Sequence, residues 1–256
     1  YTSYSRNKRY MRSSGSLPLI HGIDGNKLSK RHGAMAIGDY KNMGYLPETI
    51  VNYLVRLGWS YGNQEFFTIS EMIDLFKIEK VNKSPSRLDF KKLTNMNSSY
   101  IKNKDNNDIL TIIKSYHQEL GADLSDKNID SKILMITPSL KEKSKTTNDL
   151  ITLSSYLITN DPIVISNELL DTFKQETDQY LTDTVNIIKN IKNWNIEEIE
   201  ISIKAYVNEN NIKLFELAQP LRIILTGSNV SIGIYDIILS LGKNLVIDRV
   251  NNYLKN

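Results

Sequence analysis

The sequence predicts a mainly α chain in two units. Three observations carry that expectation. From about Asn106 onward apolar residues recur at helical spacing almost without a break. Strand signals nearly vanish after residue 40. Charge balance also reverses along the chain: residues 1–105 hold 17 Lys and Arg against 9 Asp and Glu, a net of +8, and residues 106–256 hold 15 against 20, a net of −5. A length of 256 residues is enough for one large or two smaller domains with real cores. We place the boundary in the polar cluster at Lys102–Asn107, with units at 17–105 and 106–256.

The elements follow in order. Residues 1–16 carry Arg6, Lys8, Arg9 and Arg12 with no acid and no apolar period, and read as a flexible or non-native basic arm. Leu17, Leu19 and Ile20 form a short apolar run that suits a buried strand. His21 to Gly38 holds four glycines and reads as a polar, mobile loop. Pro47 opens a helix whose face is Ile50, Val51, Tyr53, Leu54 and Leu57, and Gly58 ends it. Ser70 is the expected cap of a short helix through Met72, Ile73, Leu75 and Phe76. Pro85 marks a loop before Leu88, Phe90 and Leu93. Ile109, Leu110, Ile112, Ile113, Tyr116 and Leu120 predict one helical stripe closed by Gly121. Further helices are expected over Leu150–Leu157, Glu168–Trp194, Ile196–Asn208, Leu214–Leu225, Ile232–Leu241 and Leu245–Leu254.

Composition excludes several functions. The chain has no cysteine, so a disulfide scaffold, a thiolate zinc site, an iron–sulfur cluster and a cysteine nucleophile are ruled out. His21, His32 and His117 are too scattered to suggest a metal cluster, and we expect no zinc. No apolar run approaches the roughly 20 residues that span a bilayer. We expect a soluble, cytoplasmic monomer with no membrane partner. The basic front half is the better candidate for phosphate or nucleic acid; a solvated basic surface explains its charge equally well.

The pentapeptide Lys27-Leu28-Ser29-Lys30-Arg31 carries the most chemistry. Two ammonium groups on a glycine-flanked loop can embrace a polyphosphate and close on it. By itself a Lys-x-x-Lys loop is most often only solvated, and the spacing is not that of a Walker A loop.

Its context narrows the reading. LPLIHGIDGNKLSKRHGA (Leu17 to Ala34) resembles the signature loop of class I aminoacyl-tRNA synthetases, and within them of bacterial glutamyl-tRNA synthetases. YKNMGYLPE (Tyr40 to Glu48), NYLVRLGW (Asn52 to Trp59) and the stretch Phe76 to Phe90 around VNKSP (Val81 to Pro85) are similar to the segments that follow that loop. AQPLR (Ala218 to Arg222), LTG (Leu225 to Gly227), Gly233-Ile234 and Leu239 to Lys243 resemble the family's closing helices in order and spacing. The resemblance covers roughly 17–256.

The resemblance implies an enzyme that activates L-glutamate with ATP, magnesium serving the phosphates, and esterifies it to tRNA(Glu). Lys30 falls on the signature lysine that contacts the ATP phosphates and Lys27 on its partner. Ser29 is the motif serine, a loop-ordering donor, and Arg31 closes the motif. The region to about 105 matches a stem-contact domain, and the remainder an all-helical anticodon-binding cage. Lys141, Lys143 and Lys145 make a basic island in the acidic half. They read as an RNA phosphate or base contact, or as three exposed lysines on a helix start. Lys143 stands where the family places an arginine that reads an anticodon base. A lysine is a point charge without the planar fork, so whether tRNA(Gln) is also accepted stays open. Tyr100, Trp194 and Tyr206 read as core rather than base-stacking residues, Arg222 as a packing or capping residue, and His21 and His32 as plain polar residues.

The resemblance also implies a nucleotide-binding α/β half, which has no counterpart in these residues. The expected chain is therefore the C-terminal part of such an enzyme, as a piece of it or as a truncated product, unable to charge tRNA alone. A loop by itself does not orient glutamate and ATP. The alternative is a stand-alone, non-catalytic tRNA-binding module.

Overall fold

The computed structural model describes residues 20–22, 25–26, 35–159 and 162–255. Its α-carbon contacts divide the chain into two compact units: residues up to Tyr40 with Pro47–Leu93, and Lys41–Leu46 with Thr94–Asn256. The reversal of charge falls at the end of the helix in which that division lies.

In the first unit β1 (Ile20–His21) pairs in parallel with β2 (Ser86–Arg87), Ile20 opposite Ser86 and His21 opposite Arg87. α1 (Ile37–Asn42) is followed by α2 (Pro47–Gly58), which starts and stops at the proline and glycine expected. α2 buries Asn52 and Tyr53. Asn52 does the work of a turn: its Nδ2 donates to the Glu65 carbonyl at 2.8 Å and its Oδ1 accepts from the Phe67 N–H at 2.7 Å. Phe67 and Met72 then pack on Trp59, the small core of this unit. α3 (Ile69–Leu75) is capped by Thr68 and not by Ser70. Thr68 Oγ1 accepts from the Glu71 N–H while the Glu71 carboxylate accepts from the Thr68 N–H, a reciprocal box that Ser70, one residue inside, has no glutamate to close.

α4 (Phe90–Asn103) leads into the second unit, followed by α5 (Asn106–Glu119), α6 (Ile129–Lys143), α7 (Thr147–Ser154), α8 (Asn167–Leu170), α9 (Thr177–Asn190), α10 (Ile196–Glu209), α11 (Leu214–Thr226), α12 (Ile234–Leu241) and α13 (Lys243–Leu254). Among the described residues the fold is thus mainly α, with a single pair of two-residue strands. One continuous core holds the unit: Ile113 on α5, Ile133 on α6, Leu181 on α9, Leu221 on α11, Ile237 on α12 and Val250 on α13 are all fully buried. Each such side chain contributes about 1.5–3 kcal/mol on burial.

Three expectations need correction here. The stripe on α5 turns inward at Ile109, Ile113 and His117, leaving Tyr116 and Leu120 exposed, because the period of the helix selects every third or fourth residue and His117 completes that row. The single helix expected over Glu168–Trp194 is two, α8 and α9. The chain turns between them, where Thr177 Oγ1 accepts from the Lys174 N–H at 3.0 Å. α6 was not expected at all. It carries Pro138 in its interior, where the missing N–H usually ends a helix. The helix continues because its buried row runs through Ile129, Ile133, Ile136 and Leu140, and tertiary packing outweighs the lost bond. No described helix is long and apolar enough to cross a membrane.

Candidate functional site

The candidate ATP-phosphate residues Lys27, Ser29, Lys30 and Arg31, together with His32, lie outside the described residues. Hydrogen bonds tie the described residues on either side of them. The Leu88 N–H donates to the His21 carbonyl at 2.9 Å, extending the β1–β2 pairing. The Gly22 N–H donates to the Asn26 carbonyl at 2.8 Å and the Gly25 N–H to the Gly22 carbonyl at 3.0 Å, which closes a tight turn. His21 Nδ1 lies 2.8 Å from the Gly25 carbonyl and donates to it, so this histidine fastens the turn. Gly25 has φ +80°, a conformation that favours glycine; a Cβ there would meet Arg87 Nη2 at an ordinary 3.6 Å. On the other side the Ala36 N–H donates to Asp39 Oδ2 at 2.7 Å and opens α1. Sequence reasoning passed over Arg56, in the last turn of α2: its Nε and Nη1 are buried without a hydrogen-bond partner among the described residues. A run of helix-face residues hides such a side chain, since only its surroundings show that it is orphaned.

In the second unit the three lysines of the basic island sit at the end of a helix and not at its start. Lys141 and Lys143 fall in the last turn of α6, where cations complement the helix dipole, and Lys145 lies just beyond it. The structure separates their roles. Lys141 Nζ donates to Asn106 Oδ1 at 2.7 Å. Lys143 and Lys145 are exposed, and neither ammonium pairs with an acid among the described residues. The neighbouring Glu142 is taken by Lys102 at 2.7 Å.

The backbone beneath them is held tightly. The Ser144 N–H donates to the Leu140 carbonyl at 2.9 Å. The Asp149 carboxylate accepts from the N–H groups of Lys145 at 2.8 Å and Thr146 at 2.9 Å, and the Asp149 N–H donates to Thr146 Oγ1. The Lys145 carbonyl accepts from Asn97 Nδ2 at 2.7 Å. Two cations therefore stand on a turn whose main chain is fixed. Such a turn suits contact with a phosphate backbone or an acceptor on a base edge.

The aromatic residues considered for stacking are built into the fold. Trp194 Nε1 donates to the Leu239 carbonyl at 3.2 Å, Tyr206 Oη donates to Asp183 Oδ2 at 2.8 Å, and both, with Tyr100, pack against the core. Burial and the Asp183 carboxylate both push the Tyr206 hydroxyl up, so it stays protonated. Arg222 joins α11 to the segment before α12: its Nη1 donates to Gln219 Oε1 at 3.1 Å and its Nη2 to the Ile232 carbonyl at 3.4 Å. Burial lowers its pKa from the ordinary arginine value.

Comparison with known proteins places this architecture. Residues 92–254 match the anticodon binding domain family. Residues 6–95 match the catalytic domain of class I tRNA synthetases for glutamate and glutamine, a match that begins within the stretch that reads as a basic arm. A catalytic-domain segment followed by an all-helical anticodon-binding domain defines a class I aminoacyl-tRNA synthetase. The chain is 39% identical over 241 residues to the glutamate–tRNA ligase of Nitrobacter winogradskyi, covering 92% of this chain and 51% of that one. It is 36% identical to glutamate–tRNA ligase 2 of Parvibaculum lavamentivorans, covering 92% and 48%. A glutamate tRNA ligase from Elizabethkingia meningosepticum, solved in complex with its amino acid, superposes with a TM-score of 0.78 at 25% identity, over 94% of this chain and 51% of that one. The chain belongs to the glutamyl-tRNA synthetase family, and it spans about half the length of the relatives it matches. These relatives do not favour the alternative of a stand-alone, non-catalytic module.

Proposed function

We propose that this chain supplies the ATP-phosphate loop and the tRNA-recognition part of a glutamate–tRNA ligase. The enzyme joins the L-glutamate carboxylate to the α-phosphate of ATP with release of pyrophosphate, and passes the glutamyl group from that adenylate to tRNA(Glu) with release of AMP. In this reading Lys30 and Lys27 meet the ATP phosphates, Ser29 orders the loop and Arg31 closes the motif. The hydrogen bonds among His21, Gly22, Gly25 and Asn26, and the start of α1, lie on the two sides of those residues in sequence. Magnesium would accompany the phosphates; among the described residues no group of three or more His, Asp or Glu could hold a metal ion, so no protein ligand is assigned to it.

The second contact is with the anticodon arm of the tRNA. Lys143 and Lys145 present the cations, and Lys141, engaged with Asn106, adds charge behind them. What supports this most is the combination at one turn of two exposed ammonium groups, unpaired among the described residues, and a pinned main chain, inside the segment that matches the anticodon binding domain. Charging itself calls for a pocket that orients glutamate against ATP, so these 256 residues are expected to bind tRNA and not to charge it.

The test is binding of this chain to tRNA(Glu), tRNA(Gln) and an unrelated tRNA at two salt concentrations. Affinity should favour tRNA(Glu) and fall as salt rises, because each phosphate contact releases counterions. Binding that is absent, indifferent to the tRNA or flat with salt refutes the proposal. Comparable affinity for tRNA(Gln) would mark the point charge of Lys143 as permissive.

A further inference from the structure

Asn97 and the short segment Asn42–Leu46 converge on the basic turn from far away in sequence. Asn97 is fully buried in α4 and uses both ends of its amide. Its Oδ1 accepts from the Leu46 N–H at 2.8 Å. Its Nδ2 donates to the Lys145 carbonyl at 2.7 Å and reaches the Gly44 carbonyl at 3.4 Å. The same Gly44 carbonyl accepts from the Thr147 N–H at 2.9 Å. Asn148 Nδ2 donates to the Asn42 carbonyl at 2.8 Å. Beside them Ser98 Oγ donates to the Ser144 carbonyl at 3.3 Å. Gly44 is at φ +80°, and a Cβ on it would lie 2.8 Å from the Asn148 nitrogen and 3.0 Å from that of Thr147, so the two backbones are in direct contact. The far end of the segment is anchored by Leu46 in the core and by Tyr45 Oη, 2.8 Å from Thr94 Oγ1.

The bonds that reach the turn end on main-chain atoms of Ser144, Lys145 and Thr147 or on the side-chain amide of Asn148, and none of them touches the ammonium of Lys143 or Lys145. Side chains with four rotatable bonds lose affinity to entropy unless their base is fixed. We propose that Asn97, with Gly44 and Asn148, is a positioning residue for tRNA recognition: it fixes the backbone from which Lys143 and Lys145 reach the RNA. This rests on the reading of that turn as an RNA contact.

A double-mutant cycle on this chain, read by affinity for tRNA(Glu), tests it. Lys143→Ala combined with Lys145→Ala should weaken binding about tenfold at low salt and reduce the salt slope by about two. Asn97→Asp keeps the acceptor for the Leu46 N–H and sets a carboxylate oxygen against the Lys145 carbonyl. It should weaken binding about fivefold in the native background and less than about twofold where both lysines are gone. Asn148→Ala breaks only an exposed tie to Asn42. It should show the same pattern at about twofold, and it carries the test if Asn97→Asp does not fold. Equal losses in the two backgrounds make these residues merely structural and overturn the proposal. No loss in the native background, with the lysine effect intact, overturns the positioning role alone. If removing both lysines changes nothing, the RNA-contact reading fails and the positioning role falls with it.

Discussion

Replacing Gly44 by alanine should destabilise the second unit by about 2–5 kcal/mol. The sum has two parts, and the structure separates them. The first is conformational: φ is +80°, and an L side chain in that region costs about 1–2 kcal/mol. The second is steric: the new Cβ would sit 2.8 Å from the Asn148 nitrogen and 3.0 Å from the Thr147 nitrogen, which are backbone atoms that cannot swing away. Forcing such a contact costs about a further 1–3 kcal/mol. Gly121 supplies the control in the same unit. It has φ +74° and nothing within 4 Å of its added Cβ, so Gly121→Ala pays the conformational part only. Urea unfolding of each variant, followed by far-ultraviolet circular dichroism, reads the difference as a shift in the midpoint of the helical unit. If Gly44→Ala is no more destabilising than Gly121→Ala, the segment 42–46 does not press on the basic turn, and the close approach plays no part in holding it.

Arg249, 4% exposed, donates from Nη1 to the Leu225 carbonyl at 2.6 Å and from Nη2 to the Tyr156 carbonyl at 3.0 Å. Arg249→Met leaves both carbonyls bare and should cost about 3 kcal/mol in urea unfolding, and a loss below about 1 kcal/mol would contradict the assignment. Burial holds the His117 imidazole below its ordinary titration range, and its Nε2 is buried without a partner among the described residues. The unfolded chain then takes up a proton that the folded chain refuses, so stability is complete above about pH 6.5 and declines as the pH falls below it. His117→Phe should flatten that decline between about pH 7.5 and pH 5.5, and an unchanged slope would place its origin elsewhere. In an enzyme that carries the catalytic half, Lys30→Ala should slow adenylate formation by about two orders of magnitude or more. The same change should leave tRNA affinity within about twofold, and unaltered activation kinetics would remove Lys30 from the phosphate site.

Much of the helical order was legible because burial repeats with the helix period. Leu181, Val185 and Ile188 on α9, or Ile199, Ile203 and Val207 on α10, show their faces without any knowledge of their partners. α6 was illegible for a local reason: Pro138 reads as a stop, and only the packing of Ile133, Ile136 and Leu140 into the core overrides it. The cap of α3 was missed by two residues because Thr68 and Ser70 are equal as hydroxyl acceptors, and the position of Glu71 decides between them. The lysines at 141, 143 and 145 were legible as charges. That Lys141 is engaged depends on Asn106, thirty-five residues upstream.

By itself the sequence determined the helical class, the two charge regimes and the family, because each is written in residue type and local spacing. Tertiary structure alone decided that Lys41–Leu46 belongs with Thr94–Asn256, and that Gly44, Asn97 and Lys145 meet. The physical reason is the nature of those contacts. They are hydrogen bonds to backbone N–H and C=O groups, which every residue except proline carries alike. Side-chain pattern records which residues leave water; it holds no record of which main-chain group a buried amide will find.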